Sequence, residues 1–365
     1  MIREISRQVP EASFVGIAGS GMQAEGCSTL YDMERLSVMG LFESFGRYPE
    51  LIPMRARMAR QFIEEPPDVL IGVDAPDFNL TLERKVREHG IPTVHFVSPS
   101  VWAWRSYRVE KIRRAVDLML TLFPFEADFY HRHRIPVEFV GHPLADEIEE
   151  VPDAAEARRE LGLPSEGEIV ALLPGSRTSE VAFLAEPLVR TARWLAERRP
   201  GLKFVVPLVG RATMEQFEAA LERHGGGIDI RVFQQASRTC MRAANAVILA
   251  SGTASLEAML LKKPMVITYR ALAATYWIME RWVGSNVRFA GLPNLLSGRL
   301  VVPELMQRYA QPEWLGPPIL RVLERPPAFE ETRTEFLRLH RQLKKNAAER
   351  AAAAVLKLTR HGAAA

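Results

Sequence analysis

Short, continuously apolar runs bounded by turn residues punctuate the chain at 13–18 (SFVGIA), 69–73 (VLIGV), 93–97 (TVHFV), 118–123 (LMLTLF), 169–173 (IVALL), 203–209 (KFVVPLV), 246–250 (AVILA) and 264–268 (PMVIT). Runs of this length without polar alternation predict strands buried on both faces, as in parallel sheets. Helical stretches such as FNLTLERKVREHG and EPLVRTARWLAERR separate most of them, so the expected fold class is α/β with parallel sheets. A polar, acidic break from His142 to Glu168 interrupts the alternation, which then restarts. It predicts one domain over 1–145 and a second over 146–327. Beyond Pro327, Phe336, Leu339, Leu343, Ala347, Ala351, Val355 and Leu358 recur at helical spacing. They predict one long amphipathic helix within 328–365 that closes the chain. Two tandem parallel domains put a cleft between two sets of strand C-termini, where ligands of open α/β sheets bind.

Composition narrows the class. The 365 residues are 47% hydrophobic and 25% charged, which is globular and argues against disorder or a fibrous repeat. A net charge of +3, from 47 Lys and Arg against 44 Asp and Glu, is too small for a dedicated nucleic-acid surface. Cys27 and Cys240 are the two cysteines. They offer neither a disulfide framework nor a zinc spacing, and they fit a reducing compartment. No apolar stretch reaches the ~18–20 residues that span a bilayer, and the first residues lack the apolar region of a secretory signal. The expectation is a soluble or surface-attached protein.

Chemistry is sought in the loops after the strands. GSGMQA, Gly19 to Ala24, satisfies a dinucleotide fingerprint weakly, because Gly26 follows before a full helix can form. LLPGSR ends a buried strand with Gly175, Ser176 and Arg177 before a helical stretch. Free N–H groups at a helix start and a guanidinium both suit phosphate. The stretch after Leu249 repeats the design with Ser251, Gly252 and Thr253, and Glu257 follows one turn into the helix. A carboxylate there can accept from a ribose diol, so the pair of turns suggests a nucleoside diphosphate. VDAPDFN places Asp74 and Asp77 at the mouth of another strand. Asp77 reads equally as a helix cap. Asp74, against apolar neighbours, suits a general base with a raised pKa. No D-x-D or H-E-x-x-H metal pattern occurs, and His131 and His133 would face different sides of a helix. The segment from Ser98 to Arg114 combines Trp102 and Trp104 with five basic residues, a boundary surface or a cationic helix with Trp in the core. Leu51, Met54, Met58 and Phe62 share a helical face, with Arg55, Arg57 and Arg60 between them. That is the pattern of a basic interfacial helix on anionic lipid, and equally of a core helix with an arginine face.

Taken together, GMQAEGC, LSVMGLFE, IGVDAPDFN, HFVSPSVWAWR, LFPFEADFY, FVGHPLAD, LLPGSRTSEV, ASGTASLEAML, MVITYR and LPNLLSGR resemble the lipid-A-disaccharide synthases, family 19 glycosyltransferases of the GT-B type. The resemblance runs over nearly the whole chain. It implies two Rossmann-like domains facing a cleft, with the C-terminal helix returning to the first. It also implies inverting transfer of 2,3-diacylglucosamine from its UDP derivative onto 2,3-diacylglucosamine 1-phosphate. No cofactor is implied, and the place of work is the cytoplasmic face of the inner membrane. It makes Asp74 the catalytic carboxylate and assigns Arg177, Glu257 and Asn294 to UDP. From the residues alone Asn294 reads as a turn residue. That family begins with a strand and a G-E-x-S-G-D loop, and this chain opens inside what would be the following helix. Three other readings remain open: another UDP-sugar enzyme such as an epimerase, a noncatalytic UDP-binding form, and a nicotinamide dehydrogenase resting on GSGMQA.

Overall fold

The computed structural model describes residues 1–33, 48–104, 108–272 and 288–359. The chain divides into two units, one of Met1–Asp146 with the C-terminal segment from Leu343, the other of Glu147–Gln342.

The first unit runs α1 (Ile2–Gln8), β1 (Phe14–Gly16), α2 (Ser20–Ala24), β2 (Cys27–Thr29), α3 (Tyr48–Glu64), β3 (Leu70–Val73), α4 (Pro76–Arg87), β4 (Thr93–Phe96), α5 (Val101–Trp104), α6 (Val109–Ala115), β5 (Leu118–Thr121), α7 (Pro124–Arg132), β6 (Val137–Phe139) and α8 (Pro143–Glu147). β1 and β2 pair in parallel, and β3 to β6 form a parallel sheet in sequential order. Alternation along the strands splits their side chains between two cores. Val94, Leu120 and Val140 pack with Ile5, Ala351 and Val355, while Met119 packs with Leu80, Ile112 and Tyr130.

The second unit contains α9 (Ala154–Glu160), β7 (Ile169–Leu173), α10 (Thr178–Arg198), β8 (Lys203–Leu208), α11 (Arg211–His224), β9 (Ile230–Gln234), α12 (Ser237–Ala243), β10 (Ala246–Ala250), α13 (Thr253–Leu260), β11 (Met265–Tyr269), α14 (Leu292–Ser297), β12 (Glu304–Met306), α15 (Pro312–Glu324) and α16 (Glu330–Leu343). Its six strands are parallel in the order β12-β11-β10-β7-β8-β9. Val170, Leu172, Phe204, Val206 and Ile248 pack against Val181, Leu184 and Leu188 of α10.

Two expectations are corrected here. The single closing helix is two, α16 and α17 (Ala347–Leu356), broken where Asn346 turns left-handed at φ 56°. The break is held from outside the helix. The Asp146 carboxylate accepts from the N–H groups of Lys345, Asn346 and Ala347 at 3.0, 2.9 and 2.6 Å. The second correction concerns α3. Leu51, Met54, Met58 and Phe62 are buried against Phe78, Leu82, Val86 and Ile91. The apolar face of α3 meets that of α4, so the stripe is core packing. Arg55 is drawn inward as well, donating to the Asp77 carbonyl at 3.2 Å. Membrane contact through Leu51, Met54, Arg55, Met58 and Phe62 is therefore contradicted by their packing. No helix among the described residues is long and apolar enough to cross a membrane.

Phe62→Ala should lower unfolding free energy by about 3–5 kcal/mol, the usual cost of an emptied aromatic site. Denaturant titration reads it, and an unchanged midpoint would show the site to be on the surface. A second expectation concerns Glu126, whose carboxylate accepts from Phe123 N at 3.1 Å. Burial, partly offset by that bond, pushes it from 4.5 up to about 7. Between those values the folded chain holds a proton that the unfolded chain releases, so this group's contribution to stability falls as pH rises. Glu126→Gln should flatten that slope relative to the parent.

Candidate functional site

Parallel pairing brings three strand ends of the second unit together, with Leu173 of β7 opposite Leu249 of β10, and Ala250 opposite Thr268 of β11. The loop after β7 turns at Gly175, whose φ of 115° and whose missing Cβ are both required. A Cβ there would lie 2.4 Å from Glu180 Oε2 and 2.6 Å from Glu180 Cβ. Glu180 Oε2 accepts from the N–H groups of Ser176 and Arg177 at 3.0 and 3.3 Å, and Oε1 accepts from Arg177 Nη1 at 3.3 Å. The amides expected to be free for phosphate are thus taken by the chain's own carboxylate. The Arg177 side chain, 74% exposed, remains available at this turn. Tyr269 at the end of β11 shares the neighbourhood. Burial raises its phenol first and Glu180 adds to the rise, while Arg177 opposes it.

The neighbouring turn differs. Ser251 N donates to Thr268 O at 2.8 Å and Ser251 Oγ to Ala290 O at 3.1 Å. Gly252 is the N-cap of α13, and no side chain caps the helix. The N–H groups at this helix start and the small residues Gly252, Thr253 and Ala254 suit the close approach of an anion. Glu257 lies one turn in, with Arg238 Nε 3.5 Å from its Oε2. Arg238 also reaches Glu147, Nη1 to Oε2, at 3.4 Å.

Asn294 is fully buried. Its Nδ2 donates to Val302 O at 2.9 Å and Glu304 Oε1 at 2.7 Å, and its Oδ1 accepts from Val301 N at 2.7 Å and Val302 N at 3.0 Å. That uses its full amide capacity, so no polar atom of Asn294 is left over for a direct bond to UDP in this arrangement. Glu304 in turn accepts from Ala290 N and Gly291 N at 2.8 and 2.9 Å. The chain of bonds from Asn294 through Glu304 and Ala290 ends at Ser251, on the open turn.

In the first unit Asp74 follows β3 and is exposed rather than enclosed by apolar side chains. Asp74 and Ala75 are both left-handed, with φ of 51° and 42°. Asn79 Nδ2 holds this turn by donating to Val73 O at 3.2 Å and Asp74 O at 2.8 Å. Asp77 sits in the first turn of α4 and pairs with Arg108 instead of capping the helix. Behind β3, His95 Nδ1 and Glu83 Oε1 meet at 2.7 Å, both side chains wholly buried. Gly72 makes room there, since a Cβ would come within 1.9 Å of Glu83 Oε1. Burial raises the Glu83 carboxyl, against the hydrogen bond from His95.

Remaining sequence features fall elsewhere. α2 is five residues long, too short for a dinucleotide helix. Trp102 packs by its edge on Phe125, 4.8 Å between centroids, and the side chain of Trp104 lies outside the described residues. Among those residues no group of three or more His, Cys, Asp or Glu is placed to hold a metal. Glu180, Glu304, Asn79 and the Glu83–His95 pair escape sequence reasoning, because each acts through hydrogen bonds that only the fold reveals.

A family profile described as lipid-A-disaccharide synthetase matches residues 1–356. The chain is 48% identical to the lipid-A-disaccharide synthase of Hahella chejuensis over 364 residues, covering 99% of this chain and 91% of that one. It is also 48% identical to that of Pseudomonas aeruginosa over 359 residues, covering 98% and 93%. Two solved structures share the fold. UDP-GlcNAc 2-epimerase from Neisseria meningitidis bound to UDP-GlcNAc has a TM-score of 0.60 at 11% identity, covering 98% of this chain and 94% of that one. WaaG, a glycosyltransferase involved in lipopolysaccharide biosynthesis, has a TM-score of 0.55 at 15% identity, covering 97% and 94%.

The bonding of Asn294 separates positioning from contact. Asn294→Ala should cost about 1–3 kcal/mol for each buried partner left unpaired, and should weaken UDP in parallel through Ser251. Thermal unfolding and UDP titration on the same protein test this. Weakened UDP with an unchanged melting temperature would restore direct contact.

Proposed function

The chain belongs to the lipid-A-disaccharide synthase family, glycosyltransferases of lipid A biosynthesis that use a UDP-sugar and a lipid A precursor, and we propose that it joins them by a single inverting displacement with Asp74 as base. The observation that carries the reading is the pair of unlike turns on β7 and β10. One presents a guanidinium that only an exposed carboxylate contact restrains, and the other an uncapped helix start.

UDP-2,3-diacylglucosamine lays its diphosphate on the open turn at Ser251, Gly252 and Thr253, where the dipole of α13 favours anionic charge. Arg177 swings onto the phosphate oxygens from the adjacent strand end, while Gly175 and Ser176 keep the turn that aims it. Glu257 accepts from the ribose hydroxyls, which requires a shift of its contact with Arg238. The 6-hydroxyl of 2,3-diacylglucosamine 1-phosphate attacks the anomeric carbon, and a C–O bond forms as the bond to the diphosphate breaks. The hydroxyl proton passes to Asp74, and UDP leaves carrying the electron pair, stabilised by Arg177 and the α13 N–H groups. Exposure of Asp74 suits this role, since the acceptor must reach it. Asp77 is the nearest alternative carboxylate, but its pairing with Arg108 leaves it less free to take a proton.

Both substrates carry acyl chains, and each methylene kept from water is worth ~0.8 kcal/mol. That chemistry supports peripheral work at a lipid surface, which in this reading is the inner face of the inner membrane. The buried face of α3 is not the surface that provides it.

Asp74→Asn should lower turnover ~10²–10⁴-fold while leaving UDP affinity close to that of the parent. Arg177→Ala should do the reverse first, weakening UDP by ~1.5–3 kcal/mol for a lost charge-assisted bond. Turnover of UDP-diacylglucosamine and calorimetric UDP titration read the two effects. Wild-type turnover in Asp74→Asn would move the base elsewhere, and unaltered UDP affinity in Arg177→Ala would remove that residue from the nucleotide.

A further inference from the structure

Three cations from two helices of the first unit gather around Asp77, and Arg84 of α4 lies within electrostatic reach of one of them, Lys111. Arg55 of α3 donates to its carbonyl oxygen at 3.2 Å. Arg108, the N-cap of α6, pairs with its carboxylate and is 14% exposed. Lys111 stands one turn into α6, within electrostatic reach of Arg108, Asp77, Arg55 and Arg84. Arg84 has Glu88 at 3.5 Å, both side chains largely exposed, a contact of little strength. Among the described residues no carboxylate forms an ion pair with Lys111. Burial depresses its ammonium first, then Arg108, with Arg55 and Arg84 adding and Asp77 opposing. Four cations against Asp77 and Glu88 leave two positive charges in surplus.

Partly buried like charges repel, and a protein holds them together stably when an anion joins them. A phosphate monoester carries nearly two negative charges and three acceptor oxygens, which match the surplus and suit guanidinium forks. The position is informative as well. Asp77 is three residues beyond Asp74 on the same strand-to-helix turn. C1 and C5 of a hexopyranose flank the ring oxygen and C6 extends from C5, so a phosphate on C1 held near Asp77 keeps the C6 hydroxyl within the span of one sugar residue.

We propose that Arg55, Arg108 and Lys111 bind the anomeric phosphate monoester of the acceptor sugar and so aim its 6-hydroxyl at Asp74. The assignment rests on the reading of Asp74 as the base. It also gives Asp77 a task, which is to orient Arg108 rather than to take the proton. Arg84 contributes charge at longer range. A phospholipid headgroup offers the same phosphate chemistry, and the experiment separates the two sources.

Lys111→Met and Arg108→Gln preserve much of the packing volume and remove charge. Each is assayed in neutral detergent micelles with diacylglucosamine 1-phosphate and with its phosphate-free counterpart. The preference in kcat/KM for the phosphorylated acceptor should collapse roughly 10- to 100-fold, with UDP affinity and melting temperature retained. A parental preference in both variants overturns the proposal, as does an equal loss with both acceptors. So does lost binding to phosphatidylglycerol vesicles with the acceptor preference intact, which would assign the cluster to lipid headgroups. Calorimetry with glucosamine 1-phosphate and with glucosamine keeps the cluster independent of turnover. A parent protein that turns over neither acceptor but binds the phosphorylated sugar, and loses it in Lys111→Met, convicts the proposed reaction alone. Equal affinity of the parent for both sugars convicts the cluster.

Discussion

The second unit of this protein depends on the parallel pairing of β7, β10 and β11. Parallel strands end at a common edge, and β7 and β10 each feed a helix whose first N–H groups lack intrahelical partners. Register fixes which of these starts are neighbours, and here Leu173 opposite Leu249 sets the turn at Gly175 beside the turn at Gly252. The two turns meet the shared problem differently. The first is closed by Glu180, which consumes the amides and stiffens the loop. The second is left without a side-chain cap and is tethered only through Ser251. Closing one turn while leaving the other open braces the loop that carries Arg177 and leaves the start of α13 without a side-chain cap. The exposed contact between Arg177 and Glu180 is worth at most about 1 kcal/mol, so the guanidinium can leave it for a ligand at small cost.

The first unit uses the same strand-to-turn-to-helix device but stores strain in it. Left-handed conformations cost roughly 1–3 kcal/mol each for residues with a side chain, and Asp74 and Ala75 adopt them in succession. Such a turn persists only if its surroundings dictate it. Asn79 binds two carbonyls across it, Asp74 N donates to Phe96 O at 2.9 Å, and Pro76 starts α4 with its φ already set. Beneath, Gly72 lets Glu83 and His95 lie tightly against β3. The carboxylate that faces solvent thus stands on a turn braced from both sides.

Much of this was legible in the sequence, and the omissions have physical causes. Strands with unbroken apolar runs, such as Ile169–Leu173 and Ala246–Ala250, announce themselves because both faces are buried. The short β2, β6 and β12 and the edge strand β9 carry polar residues, as in VEF and IRVFQ, and give no such signal. Periodicity on α3 reveals an apolar face but not what covers it, and the cover proved to be α4. Likewise the 3.6-residue period runs unbroken from Phe336 to Val355, while the acceptor that ends the helix comes from Asp146, far away in sequence. Arg177, Glu257 and Asp74 could be picked out because chemistry-bearing residues follow strands. Glu180, Glu304 and Asn79 could not, since nothing in a sequence says which backbone groups a side chain will satisfy. Asn294 shows the limit from the other side, because the resemblance found the residue while its four hydrogen bonds define its task.

Charge placement follows the same physical logic in both units. The net charge of +3 over 365 residues gives no strong long-range field, and at physiological salt any field fades within about 8 Å. Anionic substrates must therefore be held by cations at contact range rather than steered from afar. In the proposed reading the surplus around Asp77 and the loosely held Arg177 supply those cations, each beside a strand end. A cation fully neutralised by its own protein would contribute little to such a site, and one left wholly alone would strain the fold. Arg108 on Asp77 and Arg177 on Glu180 occupy the middle ground, since each has a carboxylate to orient it and keeps donors to spare. That partial pairing keeps each guanidinium oriented by a carboxylate while leaving N–H donors of the kind that phosphate oxygens accept from.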